Sequence, residues 1–112
     1  MKTLLWLDDV RDPLTNNWLR YSPIGKDVDV HWVTNYQDFV DWIMIYDLPD
    51  AICFDHDLGS YEETGYDCAK WLVEYCLNLN ALPPVYGIQS ANPVGAKNID
   101  MLLKNCIKCY GQ

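Results

Sequence analysis

Acidic side chains follow two apolar segments of this chain. Asp8 and Asp9 come directly after TLLWL, and Asp55 comes directly after AICF. Carboxylates that close an apolar strand carry a large free-energy cost unless a cation neutralises them. The guanidinium of Arg11 is one possible partner, and a divalent ion is the other. We predict that Asp8, Asp9 and Asp55 bind a hard, oxygen-preferring ion such as Mg²⁺; a solvated acidic rim is the alternative.

Two residues that can move protons come directly after Asp55. They are His56 and Asp57. An imidazole or a carboxylate at this place can act as base toward water or as acid toward a leaving oxygen. Nucleophilic attack by Asp55 itself on the substrate is a second route. We therefore predict Asp55, His56 and Asp57 as catalytic residues, with a purely structural, loop-ordering His56 as the alternative.

Another polar segment, SANPVGAK, opens the last predicted helix. Asn92 suits the N-cap, and the proline after it suits the first helical position. Free amide groups at Val94 and Gly95, the Ser90 hydroxyl and the Lys97 ammonium would together bind an anion. Ordinary capping by Asn92, with Ser90 idle, is the alternative.

The elements that position these residues follow from the apolar pattern. Short apolar runs predict strands, and apolar residues repeated every three or four positions predict helices between them. Strands that alternate with helices give a parallel sheet with right-handed crossovers. We predict an α/β fold of the flavodoxin-like type, a three-layer sandwich whose four-stranded sheet has the order 2-1-3-4. Its switch point lies between the first and third strands, which are the strands that end in the acidic residues.

The predicted strands are Thr3 to Leu7, Val28 to Val33, Ala51 to Phe54 and Val85 to Gln89. The helices begin after Thr34 or Asn35, at Thr64–Gly65 and at Asn92, and a polar loop from Ser60 to Glu63 precedes the second. Their predicted inward stripes are Tyr36, Phe39, Val40, Ile43 and Met44; Ala69, Leu72, Val73, Cys76 and Leu77; and Ile99, Leu102, Leu103, Cys106 and Ile107.

Composition limits the classes of function. The 112 residues are expected to form a single domain, residues 1–112. A net charge of −8 argues against a duplex nucleic-acid binder, which needs a basic face. Only five apolar residues precede Asp8, and no run approaches the roughly 18 apolar residues of a membrane span. We expect a soluble, cytoplasmic protein that does not bind membranes.

The five cysteines are an odd number in a chain without an export signal, so reduced thiols are expected. Cys106 and Cys109 form a lone CxxC without a second close pair, and a zinc site there is the less favoured interpretation. Cys53, Cys68, Cys76 and Cys106 are predicted to lie in or near the core.

Four segments together resemble the receiver-like family known for predicted processing of cyclic phosphates. They are LWLDDVRDP, FDHDLG, TGYD and QSANPVGAKNI, in this order over nearly the whole chain. The Asp8–Asp9 pair, Asp55 and Ser90 also resemble the acidic pocket, phosphoacceptor and hydroxyl position of response-regulator receiver domains. The resemblance implies a receiver-like fold, an acidic metal site and action on cyclic phosphates, nucleotide-derived ones among them, in RNA repair or phage–host conflict.

The sequence departs from these patterns in two places. A receiver carries a fifth strand with a lysine that senses the phosphoryl group, whereas only one helix follows Ser90 here. The cyclic-phosphate family implies a histidine immediately before Ser-x-Asn-Pro, and Gln89 stands there. Loss of that histidine would leave His56 as the only imidazole of the pocket.

We expect a Mg²⁺-dependent cyclic phosphodiesterase that hydrolyses a small cyclic phosphate or nucleotide-derived phosphoester, as a monomer or weak dimer. Its predicted substrate-binding residues are Arg11, Gln89, Ser90, Asn92 and Lys97. A non-catalytic module that sequesters such a ligand is the first alternative, and Gln89 favours it. A degenerate receiver that binds a protein partner through exposed tryptophans, with Trp18, Trp32 and Trp42 as candidates, is the second.

Overall fold

The computed structural model describes residues 1–59 and 62–110. The strands are β1 (Thr3–Leu7), β2 (Asp29–Val33), β3 (Ala51–Phe54) and β4 (Val85–Ile88). The helices are α1 (Tyr36–Tyr46), α2 (Gly65–Leu79) and α3 (Pro93–Tyr110), and Trp18–Tyr21 forms a short 3₁₀ helix. Ser60 and Tyr61 of the predicted polar loop lie outside the described residues.

All pairs in the sheet are parallel, and the strand order is β2-β1-β3-β4. The predicted α/β fold and its order 2-1-3-4 are confirmed. Every residue of β3 is fully buried, because the strand is central and is covered on both faces. The mixed polarity of β2 fits its position at an edge.

Alternate residues of the central strands point into two different cores. On one face, Leu5, Leu7, Ile52 and Phe54 pack against all three helices. On the other face, Leu4, Trp6, Ala51 and Cys53 pack against the segment that contains the 3₁₀ helix. The third layer of the sandwich is therefore this mostly irregular segment, with one short turn of helix in it.

The capping residues begin the helices where the sequence predicts. The Asn35 side chain accepts from the amide of Asp38, and the Thr64 side chain accepts from the amide of Asp67 in a capping box. Asn92 Oδ1 accepts from the amide of Gly95 at 2.9 Å.

Three positions of the predicted inward stripes are wrong. Met44 is 64% exposed, Leu77 60% and Ile107 38%. Each lies one position after an inward or partly buried residue, which is a rotation of about 100° around the helix axis. An apolar side chain just outside the buried stripe still continues the periodic pattern, so periodicity alone did not reveal its exposure.

The cysteines lie where they were expected. Cys53, Cys68 and Cys76 are buried, and Cys106 is half-buried. Burial raises the pKa of the Cys53 thiol to about 12 and that of Cys76 to about 11. Among residues 1–59 and 62–110, no helix combines the length and the apolar character that crossing a membrane requires.

Candidate functional site

Backbone hydrogen bonds place the predicted site residues at one edge of the sheet. The amide of Asp8 donates to Val33 O at 3.1 Å, and the amide of Asp55 donates to Leu7 O at 2.9 Å. The amide of Gln89 continues the ladder by donating to Phe54 O at 3.0 Å. Parallel strands end at the same edge, so Asp8, Asp55 and Gln89 meet there.

Asp8, Asp9 and Asp55 form a cluster of three carboxylates. One oxygen from each lies within 4.8 Å of the others. Asp8 is fully buried, and Asp55 is only 3% exposed. Burial, and after it the neighbouring charge of Asp8, raise the pKa of Asp55 to about 6. The cluster thus carries its negative charge at a free-energy cost.

The loop after β1 holds Asp8 in place. Its Oδ1 accepts from the amides of Val10 at 3.1 Å and Arg11 at 2.9 Å. Its carbonyl oxygen accepts from Trp32 Nε1 at 2.8 Å, and the carbonyl of Arg11 accepts from Trp6 Nε1 at 2.9 Å. Two tryptophans therefore fix the backbone that carries the first carboxylate.

Arg11 lies between two of the carboxylates. Its Nη1 is 3.1 Å from Asp8 Oδ2 and 3.6 Å from Asp55 Oδ1. Burial lowers the pKa of the guanidinium, but the hydrogen bond to Asp8 and the charges of Asp8, Asp55 and Asp9 together raise it more, so the net shift is upward. The guanidinium also lies 5.1 Å from the ring centre of Trp18. Arg11 is therefore a fixed counter-ion of the cluster.

His56 and Asp57 form a pair next to the start of α3. His56 Nδ1 lies 2.8 Å from Asp57 Oδ1, and this bond, with a smaller contribution from Asn92, lowers the pKa of Asp57. Asn92 Nδ2 lies 3.4 Å from His56 Nδ1 and 3.5 Å from both Asp57 oxygens. The Asp57 carboxylate favours a proton on Nδ1, so Nε2 carries the lone pair, and Nε2 has no hydrogen-bond partner among the described residues.

Two glycines permit close approaches at the site. A Cβ on Gly65 would lie 1.7 Å from Asp55 O, and a Cβ on Gly95 would lie 2.3 Å from His56 Cγ. The amide of Gly65 also donates to His56 O at 2.7 Å. The absence of a side chain lets the first turns of α2 and α3 pack directly on the segment that contains Asp55 and His56.

We expect Gly95→Ala to displace the His56 imidazole while leaving the fold intact. The new methyl group would overlap the ring, which belongs to a side chain that can move. The gain in helix propensity from glycine to alanine, about 1 kcal/mol, offsets part of the cost of this displacement. Histidine ring shifts in proton–nitrogen NMR spectra measure the displacement, with Val94→Ala in the same turn as control. His56 ring signals identical to those of the unsubstituted protein would contradict the packing.

The predicted anion site at the start of α3 is only partly available. The amide of Gly95 is already bonded to Asn92 Oδ1, and Ser90 Oγ accepts from the amide of Asn92 at 3.0 Å. The prediction of a free Gly95 amide is therefore wrong, because the Asn92 cap uses it. Lys97 is exposed and makes no hydrogen bond or ion pair with the residues that the structure describes.

Gln89 lies behind the cluster. It is 4% exposed, and its Nε2 donates to Leu7 O at 2.9 Å and to Asp8 Oδ2 at 3.4 Å. Its buried Oε1 has no partner within residues 1–59 and 62–110. A buried amide oxygen without a donor indicates an unfilled interaction next to Asp8.

The donor set fits a divalent cation. All three ligand groups are carboxylates, which suit Mg²⁺. The amide group of Gln89, whose Oε1 has no partner among the described residues, contacts Asp8 through Nε2. Three carboxylates and one guanidinium leave a formal charge of −2. In the described part of the chain this is the one group of metal-ligating side chains close enough to share an ion.

Sequence reasoning missed several residues that shape the site. Trp32 and Trp6 hold the backbone of Asp8 and Arg11, and Trp18 stacks on the guanidinium. Gly65 and Gly95 in the first turns of helices were available as signals, because glycine there suggests a close approach. Indole hydrogen bonds to backbone carbonyls have no sequence pattern.

Comparisons with known proteins agree with this geometry. Residues 3–105 match the family described as the cyclic-phosphate processing receiver domain. A response regulator receiver domain protein from Clostridium thermocellum is 14% identical, with a TM-score of 0.51 over 99% of this chain and 98% of that one. A signal receiver domain from Vibrio parahaemolyticus is 16% identical, with a TM-score of 0.50 over 98% and 92%. A search of curated proteins gave no significant match.

The structural similarities, at such low identity, establish the fold, and the match over 3–105 establishes the family. The resemblance read from the four sequence segments is thereby confirmed. This chain belongs to the cyclic-phosphate processing receiver domain family.

Proposed function

We propose that this protein hydrolyses a cyclic phosphodiester at the carboxyl edge of its sheet with the help of a divalent cation. The observation that carries the proposal is the cluster of Asp8, Asp9 and Asp55 with Arg11 beside it, in a chain of this family. Carboxylates attract a cation, and a guanidinium can bind phosphoryl oxygens, so the two together suit a substrate that carries phosphate.

Asp8, Asp9 and Asp55 would hold Mg²⁺, which when bound supplies a Lewis acid for a phosphoryl oxygen. Arg11 binds a second phosphoryl oxygen, since its five donors exceed those that two carboxylates engage. The first turn of α3 adds the amide of Val94, and Ser90, three residues before the helix, adds its hydroxyl proton. Lys97, which is free among the described residues, adds longer-range attraction for the anion.

The His56–Asp57 pair moves the proton in this proposal. Asp57 accepts from Nδ1 and leaves Nε2 to take a proton from water. The water oxygen then bonds to phosphorus, one ring P–O bond breaks, and the leaving oxygen receives the proton that His56 Nε2 took from water. A phosphomonoester is the product.

A binding module that holds the ligand without turnover is the second candidate. Gln89 favours it, because an amide cannot supply a proton and stands where the family resemblance implies histidine. The two candidates differ in one observable, which is conversion of the ligand.

Phosphorus NMR of the protein with Mg²⁺ and a panel of cyclic phosphates tests the proposal. The panel contains 2′,3′- and 3′,5′-cyclic nucleotides, cyclic oligonucleotides and ADP-ribose cyclic phosphate. We expect one class to convert to a phosphomonoester, and we expect His56→Gln to lower its rate about 100-fold or more.

A control variant and a follow-up variant separate the two candidate functions. His31→Gln removes the other imidazole, which lies outside the cluster, and should leave the rate unchanged. Signals that shift but never convert would support the binding module, and Gln89→His is then the variant to assay. No shift and no conversion for any compound would contradict both candidates.

A further inference from the structure

A cavity lies at the amino edge of the sheet, opposite the candidate site. It has a volume of about 330 Å³ and lies beside the first residues of β1 and β2 and the residue before β3. This volume is at the small end of the range for ligand pockets, about 300–1,000 Å³. The family resemblance and the proposed mechanism assign nothing to this edge.

Aromatic rings and carboxylates share the wall of this cavity. The ring centres of Trp42 and His31 are 5.3 Å apart, those of Trp42 and Tyr46 are 5.0 Å apart, and those of His31 and Tyr46 are 6.4 Å apart. Asp29 and Asp50 complete the polar part of the lining. The lining residues include no lysine or arginine, so their formal charge is −2.

Each carboxylate keeps one oxygen for a ligand. Asp50 Oδ2 accepts from the amide of Thr3 at 2.8 Å, and Asp29 Oδ2 lies 3.1 Å from His31 Nε2. The Oδ1 atoms of Asp29 and Asp50 have no hydrogen-bond donor among residues 1–59 and 62–110. Their neighbours therefore orient both carboxylates without neutralising them as a fixed lysine or arginine would.

We infer that this cavity binds a small organic cation that carries N–H donors, a guanidinium or primary ammonium group. The indole of Trp42 and the phenol ring of Tyr46 attract the positive charge, and the two free carboxylate oxygens accept its hydrogen bonds. The Trp42 indole, whose buried Nε1 has no partner in the described part of the chain, is a built-in reporter at the wall. A neutral molecule of the same shape lacks the attraction to the ring faces and makes only the weaker, uncharged hydrogen bonds to the carboxylates.

Titration with butylguanidinium at 150 mM salt tests the inference, with butylurea as the neutral compound of matched shape. The readout is the indole signal of Trp42 in proton–nitrogen NMR spectra, assigned with Trp42→Phe. We expect a saturable shift with butylguanidinium and binding at least about tenfold weaker with butylurea. An equal shift with butylurea, or no saturation, would overturn the inference.

Variants test the carboxylates separately from the fold. The double change Asp29→Asn with Asp50→Asn keeps the hydrogen-bond acceptors and should weaken binding about tenfold or more. Asp27→Asn makes the same kind of charge change at an exposed residue outside the lining and should leave affinity within about twofold. Unchanged affinity in the double variant would also overturn the inference, and the dispersed indole signals show whether it is folded.

The cation could come from a free metabolite or from an arginine side chain. A blocked Gly-Arg-Gly peptide carries the same group on a polypeptide. Tighter binding of the peptide than of butylguanidinium identifies an arginine side chain as the source, and weaker binding identifies a free small molecule. Neither result depends on the proposed phosphate chemistry at the other edge.

Discussion

Replacing Asp55 with asparagine is expected to stabilise the metal-free protein while abolishing its response to Mg²⁺. The pKa of Asp55 is raised from 3.8 to about 6, so the folded state holds this proton more tightly than the unfolded state does. Its ionised form above pH 6 therefore opposes folding, by about 3 kcal/mol for two pKa units. Asparagine removes that charge and keeps Oδ1 as the acceptor for the His56 amide.

The dependence on pH follows from the same shift. As the pH rises from 4 to 6 the unfolded state releases this proton first, and the contribution of Asp55 to the free energy of unfolding falls. The advantage of Asp55→Asn should therefore be largest at pH 7.5 and disappear near pH 4. Urea unfolding at both pH values measures it.

With saturating Mg²⁺ the parent protein should become more stable than Asp55→Asn. An ion that binds only the folded state stabilises it by about 4.1 kcal/mol at a concentration about 1,000 times its Kd. This exceeds the advantage of about 3 kcal/mol that Asp55→Asn has without metal, and the variant loses one of the ligands. Hydrolysis should fall about 1,000-fold or more. The control is Asp41→Asn on α1, an exposed carboxylate outside the cluster. A variant that is less stable than the parent without metal would contradict the buried-charge argument.

Replacing Arg11 with glutamine is expected to lower the stability of the metal-free protein, and this is the second of the two largest effects. The described residues supply no other ion-pair partner to Asp8 or Asp55, and both carboxylates are buried. Removing one partner of a buried ion pair costs about 3 kcal/mol or more, because the remaining charges stay desolvated. We expect the free energy of unfolding, measured with urea at pH 7.5 without metal, to fall by about 3 kcal/mol.

Metal and substrate experiments separate the two roles of Arg11. Mg²⁺ should stabilise Arg11→Gln more than the parent, because the ion then replaces the missing positive charge. Hydrolysis should still fall about 100-fold, because a charged donor to phosphate is gone.

A matched arginine is available as control. Arg20 also stacks on Trp18, at 5.1 Å, but is exposed and has no carboxylate partner in the described part of the chain. Arg20→Gln should cost less than about 1 kcal/mol. Equal losses in the two variants would contradict the role of Arg11 as counter-ion.

The sequence predicted the sheet and its acidic edge because both depend on local patterns. Four apolar runs each ending in polar residues set the strands, and alternation with helices set their order. The convergence of Asp8, Asp9 and Asp55 then followed from parallel topology alone. The N-caps at Asn35, Thr64 and Asn92 were also predictable from the local sequence.

What the sequence did not predict depends on contacts between distant residues. Arg11 was one of two possible counter-ions, and only the geometry places it against both Asp8 and Asp55. The use of the Gly95 amide by Asn92, and the bond from Trp32 to the carbonyl of Asp8, depend on side-chain rotamers. The exposure of Met44, one position after the buried Ile43, depends on how far around the axis of α1 the packed neighbours reach.

The central claim is that the carboxylate cluster holds a metal ion beside a bound cyclic phosphate. Phosphorus relaxation of the substrate class found in the panel, measured with Mn²⁺ and protein, tests it directly, because Mn²⁺ broadens only phosphorus nuclei close to it. We predict broadening beyond that of free Mn²⁺ with the parent protein and with Asp41→Asn, and its loss with Asp55→Asn. Equal broadening with Asp55→Asn, or none with the parent, would contradict the claim.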